Sequence, residues 1–207
     1  MGRIETVVFD IGNVLIEWQP ERFYDREAGE ARRRALFAEV DLAGMNLRVD
    51  LGEDLRQVVE ETAAHHPDHA DLIRLWHDRW IDLASPAIPH SVRLLEALAA
   101  RGVPLLALTN FGTGTFRAAR QAYPFLDLFD RAFVSGELGL LKPDPAIYRV
   151  VEAEGGAAPG ALLFIDDKAA NVAAAAMRGW QTHLFDGPGG LAARLVSEGL
   201  LTEEEAQ

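Results

Sequence analysis

Three apolar runs in this chain each stop on polar side chains. Thr6-Val7-Val8-Phe9 ends on Asp10, Val103-Pro104-Leu105-Leu106-Ala107-Leu108 ends on Thr109-Asn110, and Ala161-Leu162-Leu163-Phe164-Ile165 ends on Asp166-Asp167. Short, nearly continuous apolar runs suit strands buried on both faces, as in a parallel sheet covered by helices. Two weaker runs, Ala132-Phe133-Val134 and Thr182-His183-Leu184-Phe185, bring the expected strands to five. Helical patterns fall between them: His90 to Arg101 stopping at Gly102, Asp144-Pro145 through Glu154 stopping at Gly155-Gly156, and Ala169 to Arg178 closing on Gly179. Strands alternating with helices predict an α/β fold with a Rossmann-like, doubly wound parallel sheet. Ligands of such sheets bind outside the carboxyl ends of the strands, where the polar residues fall.

One connection is too long for a simple crossover of about 30 residues, because no second strong strand pattern appears until Val103. The helix from His90 supplies the crossover itself. The excess, rich in Arg, Leu, Ala and Glu at helical spacing, reads as a small helical cap. The expected division is therefore a core of residues 1–16 and 90–207 with a cap of residues 17–89. Leu72, Leu75, Trp76 and Arg79-Trp80 form an amphipathic face in that cap, and the acidic Glu203-Glu204-Glu205 end reads as a frayed tail.

Charge narrows the partners. Thirty-two acidic against twenty basic residues give a net charge of -12, so the molecule's field repels nucleic acid and anionic membranes, and an anionic ligand must be caught locally. The absence of cysteine removes disulfides, thiolate nucleophiles and cysteine-type zinc sites. The amino-terminal stretch lacks the pattern of a signal peptide, which leads to the expectation of a cytoplasmic protein, either a monomer or a homodimer. Arg32-Arg33-Arg34 reads as a solvated helix face, and His65, His66 and His69 as solvated loop histidines.

Buried carboxylates at strand ends need a cation or hydrogen-bond donors. Asp10 and the Asp166-Asp167 pair would repel one another unless a cation lies between them, and a hard divalent ion such as Mg²⁺ fits that demand. Asp10, Asp167 and a carbonyl from the Gly12 turn are the expected ligands. One of Asp166 and Asp167 is expected to cap the following helix, and Asn171, a helical turn beyond Asp167, to orient that carboxylate. Only two lysines stand among eighteen arginines, Lys142 and Lys168, both beside polar strand ends. Lys142, stiffened by Pro143 and Pro145, is the better candidate for meeting a phosphoryl group, while Lys168 reads as charge balance. Thr109 and the backbone N–H groups of the Asn110-Phe111-Gly112 turn offer donors of the kind that receive phosphate.

Phe9-Asp10-Ile11-Gly12-Asn13-Val14, Leu108-Thr109-Asn110, Leu141-Lys142-Pro143-Asp144-Pro145 and Phe164-Ile165-Asp166-Asp167 with Asn171 resemble, in order, the four motifs of the haloacid dehalogenase-like (HAD) hydrolases. The Asp-Ile-Gly-Asn-Val form resembles the branch that includes sugar-phosphate phosphatases and the phosphatase domain of soluble epoxide hydrolases. The resemblance implies a Mg²⁺-dependent phosphatase of a small phosphorylated metabolite, sugar phosphates among the candidates. Asp10 would be the nucleophile, Thr109 and Asn110 would bind phosphoryl oxygens, and Lys142 would neutralise charge. Asp10, Gly12 and Asp167 would hold the metal, with Asp166 and Asn171 in support. The sequence departs from the pattern at Gly12, where most phosphatases of this group carry a second aspartate as general acid and base. Two alternatives follow: a metal-independent 2-haloacid dehalogenase, or a ligand-binding module with little or no turnover.

Overall fold

The computed structural model describes residues 2–207. Its main sheet has five strands, β1 (Thr6–Phe9), β4 (Leu105–Thr109), β5 (Arg131–Val134), β6 (Leu162–Asp166) and β7 (Gln181–Leu184), in the order β5-β4-β1-β6-β7. Every neighbouring pair is parallel. The two remaining strands, β2 (Ile16–Trp18) and β3 (Ala84–Ala87), form an antiparallel ribbon.

Alternation along each strand sends side chains to opposite faces of the sheet. Val7, Phe9, Leu105, Ala107, Leu163 and Ile165 join the larger apolar cluster on one face. Val8, Leu106, Leu108, Leu162 and Phe164 pack on the other against Ile147, Tyr148, Val151, Ala174 and Ala175. Because β1 lies between β4 and β6, the carboxyl ends of the three strongest strands are adjacent, and Asp10, Thr109 and Asp166 share one edge.

The segment between β2 and β3 is helical: α1 (Pro20–Ala28), α2 (Glu30–Glu39), α3 (Leu42–Asp50), α4 (Leu55–His65), α5 (Ala70–Asp78) and α6 (Trp80–Leu83). The core helices are α7 (Pro89–Ala100), α8 (Thr113–Ala122), α9 (Ser135–Leu138), α10 (Pro145–Glu154), α11 (Ala169–Met177) and α12 (Pro188–Ser197). The apolar cluster under the first sheet face runs without a break into the cap, taking in Tyr24, Leu36, Met45, Val49, Ile73 and Trp76. No helix among the described residues is long and apolar enough to cross a membrane.

Three local expectations change. Lys168 occupies the N-cap of α11, and neither Asp166 nor Asp167 does. The acidic tail is docked rather than frayed: Glu205 pairs with Arg101, His90 Nε2 lies 2.8 Å from the Ala206 carbonyl oxygen, and Ala206 is buried. The amphipathic cap face breaks at Arg79, so Leu72 and Trp76 lie on α5 while Trp80 opens α6. The N-cap of α10 follows the sequence reading, with the Asp144 carboxylate accepting the Ala146 N–H at 2.7 Å.

Candidate active site

Asp10 follows β1 directly, and its Oδ1 accepts the N–H of Ile11 at 2.8 Å. Lys142 Nζ lies 2.9 Å from Asp10 Oδ1 and 2.7 Å from Asp166 Oδ2. The lysine side chain is 1% exposed and that of Asp166 is fully buried, so this ion pair is shielded from water and its charges must be satisfied locally. Asn110 fixes the lysine's backbone: its amide donates to the Lys142 carbonyl at 3.0 Å and accepts the Lys142 N–H at 2.9 Å. Burial pushes the Asp10 carboxyl up to about 6; Lys142 pulls it down and Asp166 pushes it further up.

Asp166 is saturated. Besides Lys142 it accepts the Lys168 N–H at 2.8 Å and the Asn171 side-chain amide at 3.0 Å on both oxygens. Asn171 thus holds Asp166, not Asp167 as its spacing suggested. Asp167 receives only the Asn13 amide, at 3.2 Å. Asn13 itself has a positive φ of 56° and accepts the Trp18 N–H at 2.9 Å, tying the turn after Asp10 to the ribbon. Oxygen atoms of Asp10, Asp166 and Asp167 lie within 4.8 Å of one another, the one such acidic group found among the described residues. Lys142 answers two of these carboxylates, and Asp167 keeps a free face toward the cavity. An all-oxygen donor set with an under-compensated charge fits a hard divalent cation.

Thr109 ends β4, is 1% exposed, and its hydroxyl has no hydrogen-bond partner. An orphaned buried hydroxyl costs free energy unless a ligand completes it. The turn after it offers fewer free donors than its sequence suggested, because the Phe111 N–H is taken by Ser135 Oγ at 2.9 Å.

One cavity of about 730 Å³ between core and cap is lined by Asp10, Gly12, Asn13, Thr109, Asn110, Lys142, Asp167, Lys168 and Asn171, while the fully buried Asp166 does not reach it. The cap side adds Glu39, Asp41, Asn46, Asp50 and Trp76, and the ribbon adds Trp18. Trp18 meets Trp76 edge-on at 5.7 Å between ring centroids and Trp80 at 6.1 Å. His65 and His69 take no part, lying against the Glu61 carbonyl and Glu39.

The sequence reading missed three contributors: Asn13, Asn46 and Asp50. Asn13 was legible from its place in the turn after Asp10, whereas the other two become neighbours of the site only when the cap folds over the sheet.

A family model described as haloacid dehalogenase-like hydrolase matches residues 4–179. A sesquiterpene phosphatase from Aspergillus oryzae is 35% identical over 82 residues, which span 40% of this chain and 42% of that protein. A glyceraldehyde 3-phosphate phosphatase from Methanopyrus kandleri is 27% identical over 191 residues, covering 80% of this chain and 76% of the relative. The fold is shared with a HAD family enzyme from Bacteroides thetaiotaomicron in complex with magnesium and inorganic phosphate, at a TM-score of 0.68, 22% identity, and coverage of 87% and 93% of the two chains. It is also shared with the L-2-haloacid dehalogenase of Xanthobacter autotrophicus, at a TM-score of 0.64, 21% identity, and coverage of 96% and 84%.

Proposed function

The chain belongs to the haloacid dehalogenase-like hydrolases, and from that premise we propose that it is a Mg²⁺-dependent phosphatase of small phosphorylated metabolites. The observation that carries this reading is the convergence of Asp10, Lys142 and the unpartnered Thr109 hydroxyl on one cavity, with the exposed face of Asp167 beside them. A 2-haloacid, attacked at its halogen-bearing α-carbon, needs a nucleophilic carboxylate but no clustered acids, so the Asp10–Asp166–Asp167 group favours the phosphatase over the dehalogenase.

In the first step an Asp10 carboxylate oxygen attacks phosphorus, the bond to the ester oxygen breaks, and an aspartyl-phosphate forms. Lys142 stands against the charge that develops on the phosphoryl oxygens, and the Thr109 hydroxyl and Asn110 turn supply neutral donors to them. In the second step water attacks phosphorus and returns Asp10 as a carboxylate. Asp10, the Gly12 carbonyl and Asp167 would hold Mg²⁺, with Asp166 and Asn171 setting the surrounding frame. Bound there, the ion supplies positive charge to the phosphoryl group and lowers repulsion among the carboxylates.

The cavity walls bear on the organic half of the substrate. Aromatic surface from Trp18 and Trp76 beside acceptors on Glu39, Asp41 and Asn46 suits the C–H face and hydroxyls of a sugar. The same acids would repel the additional phosphates of a nucleotide. These features support a sugar phosphate. Hydrolysis of p-nitrophenyl phosphate with and without EDTA tests the reading: turnover should require divalent cation and vanish in Asp10→Asn. Activity that survives both changes overturns it, and chloride release from 2-chloropropionate would install the dehalogenase instead.

A further inference from the structure

Gly12 leaves the site without the proton donor that a leaving alkoxide needs, and Asn13 beside it does not titrate. Neither Asp166 nor Asp167 can substitute, since the first is saturated by four hydrogen bonds from three groups and the second belongs to the acidic group that would hold a metal. Of the cap carboxyls that line the cavity, Glu39 lies against His69 and Asp41 caps α3 by accepting the Gly44 N–H, which leaves Asp50. Asp50 ends α3, lines the same cavity as Asp10 and Lys142, and is half-buried.

Its position is fixed from both sides. The Asn46 side-chain amide donates to Asp50 Oδ2 at 2.9 Å, and Asn46 Oδ1 accepts the Trp76 indole N–H at 3.3 Å. The Asp50 carbonyl accepts the Ser135 hydroxyl at 2.6 Å, the same hydroxyl that receives the Phe111 N–H. The backbone on either side is seated on the core with no space to spare. A Cβ on Gly52 would lie 2.6 Å from the Gly136 carbonyl oxygen, and one on Gly112 would lie 2.6 Å from Val49 Cγ1. The end of α3 is therefore clamped to the turn that follows β4 and to α9 after β5, over the mouth of the sheet. Burial pushes the Asp50 carboxyl up to about 7, while Lys168, the Asn46 amide and the Gly112 N–H pull it down and Asp10 pushes it up. A carboxyl in that range both gives and takes protons near neutrality.

We infer that Asp50, carried by the cap, is the general acid and base of this phosphatase in place of the aspartate missing at Gly12. Protonated, it gives its proton to the ester oxygen as the P–O bond breaks, so the product leaves as an alcohol. As a carboxylate it then takes a proton from the water that attacks the aspartyl-phosphate, which frees phosphate, returns Asp10 ionised and restores the protonated Asp50. The assignment also makes turnover conditional on a docked cap.

The inference rests on the phosphatase reading, and leaving-group dependence separates the two. In Asp50→Asn, turnover of an alkyl ester such as a sugar phosphate should fall by about 10²–10⁴. p-Nitrophenyl phosphate, whose leaving group needs no proton, should still phosphorylate Asp10 and give a stoichiometric burst of p-nitrophenolate before a slow steady state. Asp50→Glu should restore part of the alkyl-ester rate, and a cooperative thermal melt of each variant would exclude misfolding. Equal losses on both esters without a burst, or an unchanged alkyl-ester rate, overturn the role of Asp50 while leaving the phosphatase intact. Failure of the wild-type protein to hydrolyse any phosphoester refutes both.

Discussion

At the scale of single residues the site is organised by how each carboxylate is compensated. Asp166 is buried, saturated and structural; Asp10 is buried with one lysine; Asp50 has an amide and an acidic neighbour. The last two are costly to ionise in the folded protein, and this sets the sign of their contribution to stability. An Asp50 carboxyl near 7 in the folded chain against its ordinary 3.8 binds its proton more tightly folded than unfolded. Stability from this residue is therefore lost as pH rises from about 4 through about 7, and stays lost above. Asparagine has no charge to bury. Asp50→Asn should melt higher than wild type at pH 8, by roughly 2–4 °C for about 1 kcal/mol in a chain of this size, with the gap closing toward pH 4. A variant that melts lower than wild type at pH 8 would mean that the Asn46 and Gly112 donors outweigh burial. Such a gain in stability on losing a functional group is the expected mark of a site strained for chemistry.

At the scale of elements, the legible parts were those whose pattern is local. Parallel strands covered on both faces must be apolar throughout, so β1, β4 and β6 could be read off directly, and the residues ending them followed. Helix ends marked by Gly102, by Asp144-Pro145 and by Gly179 were equally local. The β2–β3 ribbon was not visible, because Ala84-Ser85-Pro86-Ala87 has neither β-branched residues nor alternation, and proline argues against a strand except at an edge. It is an edge here, in a two-stranded ribbon whose pairing is tertiary. Asp50 was hidden for the same reason: in sequence it is a polar residue closing a short helix, and only the clamp of α3 on α9 and the turn after β4 brings it to the cavity. That clamp can be loosened on its own. Gly52 has φ +108° and meets the Gly136 carbonyl, whereas Gly102 has φ +68° with open space around it. Both alanine variants carry backbone strain of about 1–3 kcal/mol, but only Gly52→Ala pushes cap from core. It should lower kcat/KM for a sugar phosphate by about ten-fold or more, while Gly102→Ala lowers the urea midpoint and leaves kcat/KM near wild type. Equal kinetic behaviour of the two variants would show that cap docking does not gate the reaction.

For the whole molecule, the charge balance and the site pull in opposite directions. A chain of net charge -12 repels a phosphate ester at long range, and the cavity's own rim carries Glu17, Glu39 and Asp41. Attraction is confined to Lys142, buried at the floor, and Lys168 at its edge, the only lysines in the chain. On the proposed reading a phosphoester would cross a repulsive field before meeting either lysine, which would favour small esters of low charge over polyphosphates. Screening tests this balance, since the Debye length shrinks from about 30 Å at 0.01 M salt to about 10 Å at 0.1 M. The long-range repulsion fades over that range, while the contact between phosphate and a buried lysine is screened much less. kcat/KM for a phosphomonoester should therefore rise as salt increases from 0.01 M to 0.1 M at fixed Mg²⁺, with kcat nearly flat, because bound substrate no longer experiences the field of approach. A fall in kcat/KM over the same range would mean that the local cations dominate the encounter, and the preference for weakly charged substrates would then need another cause.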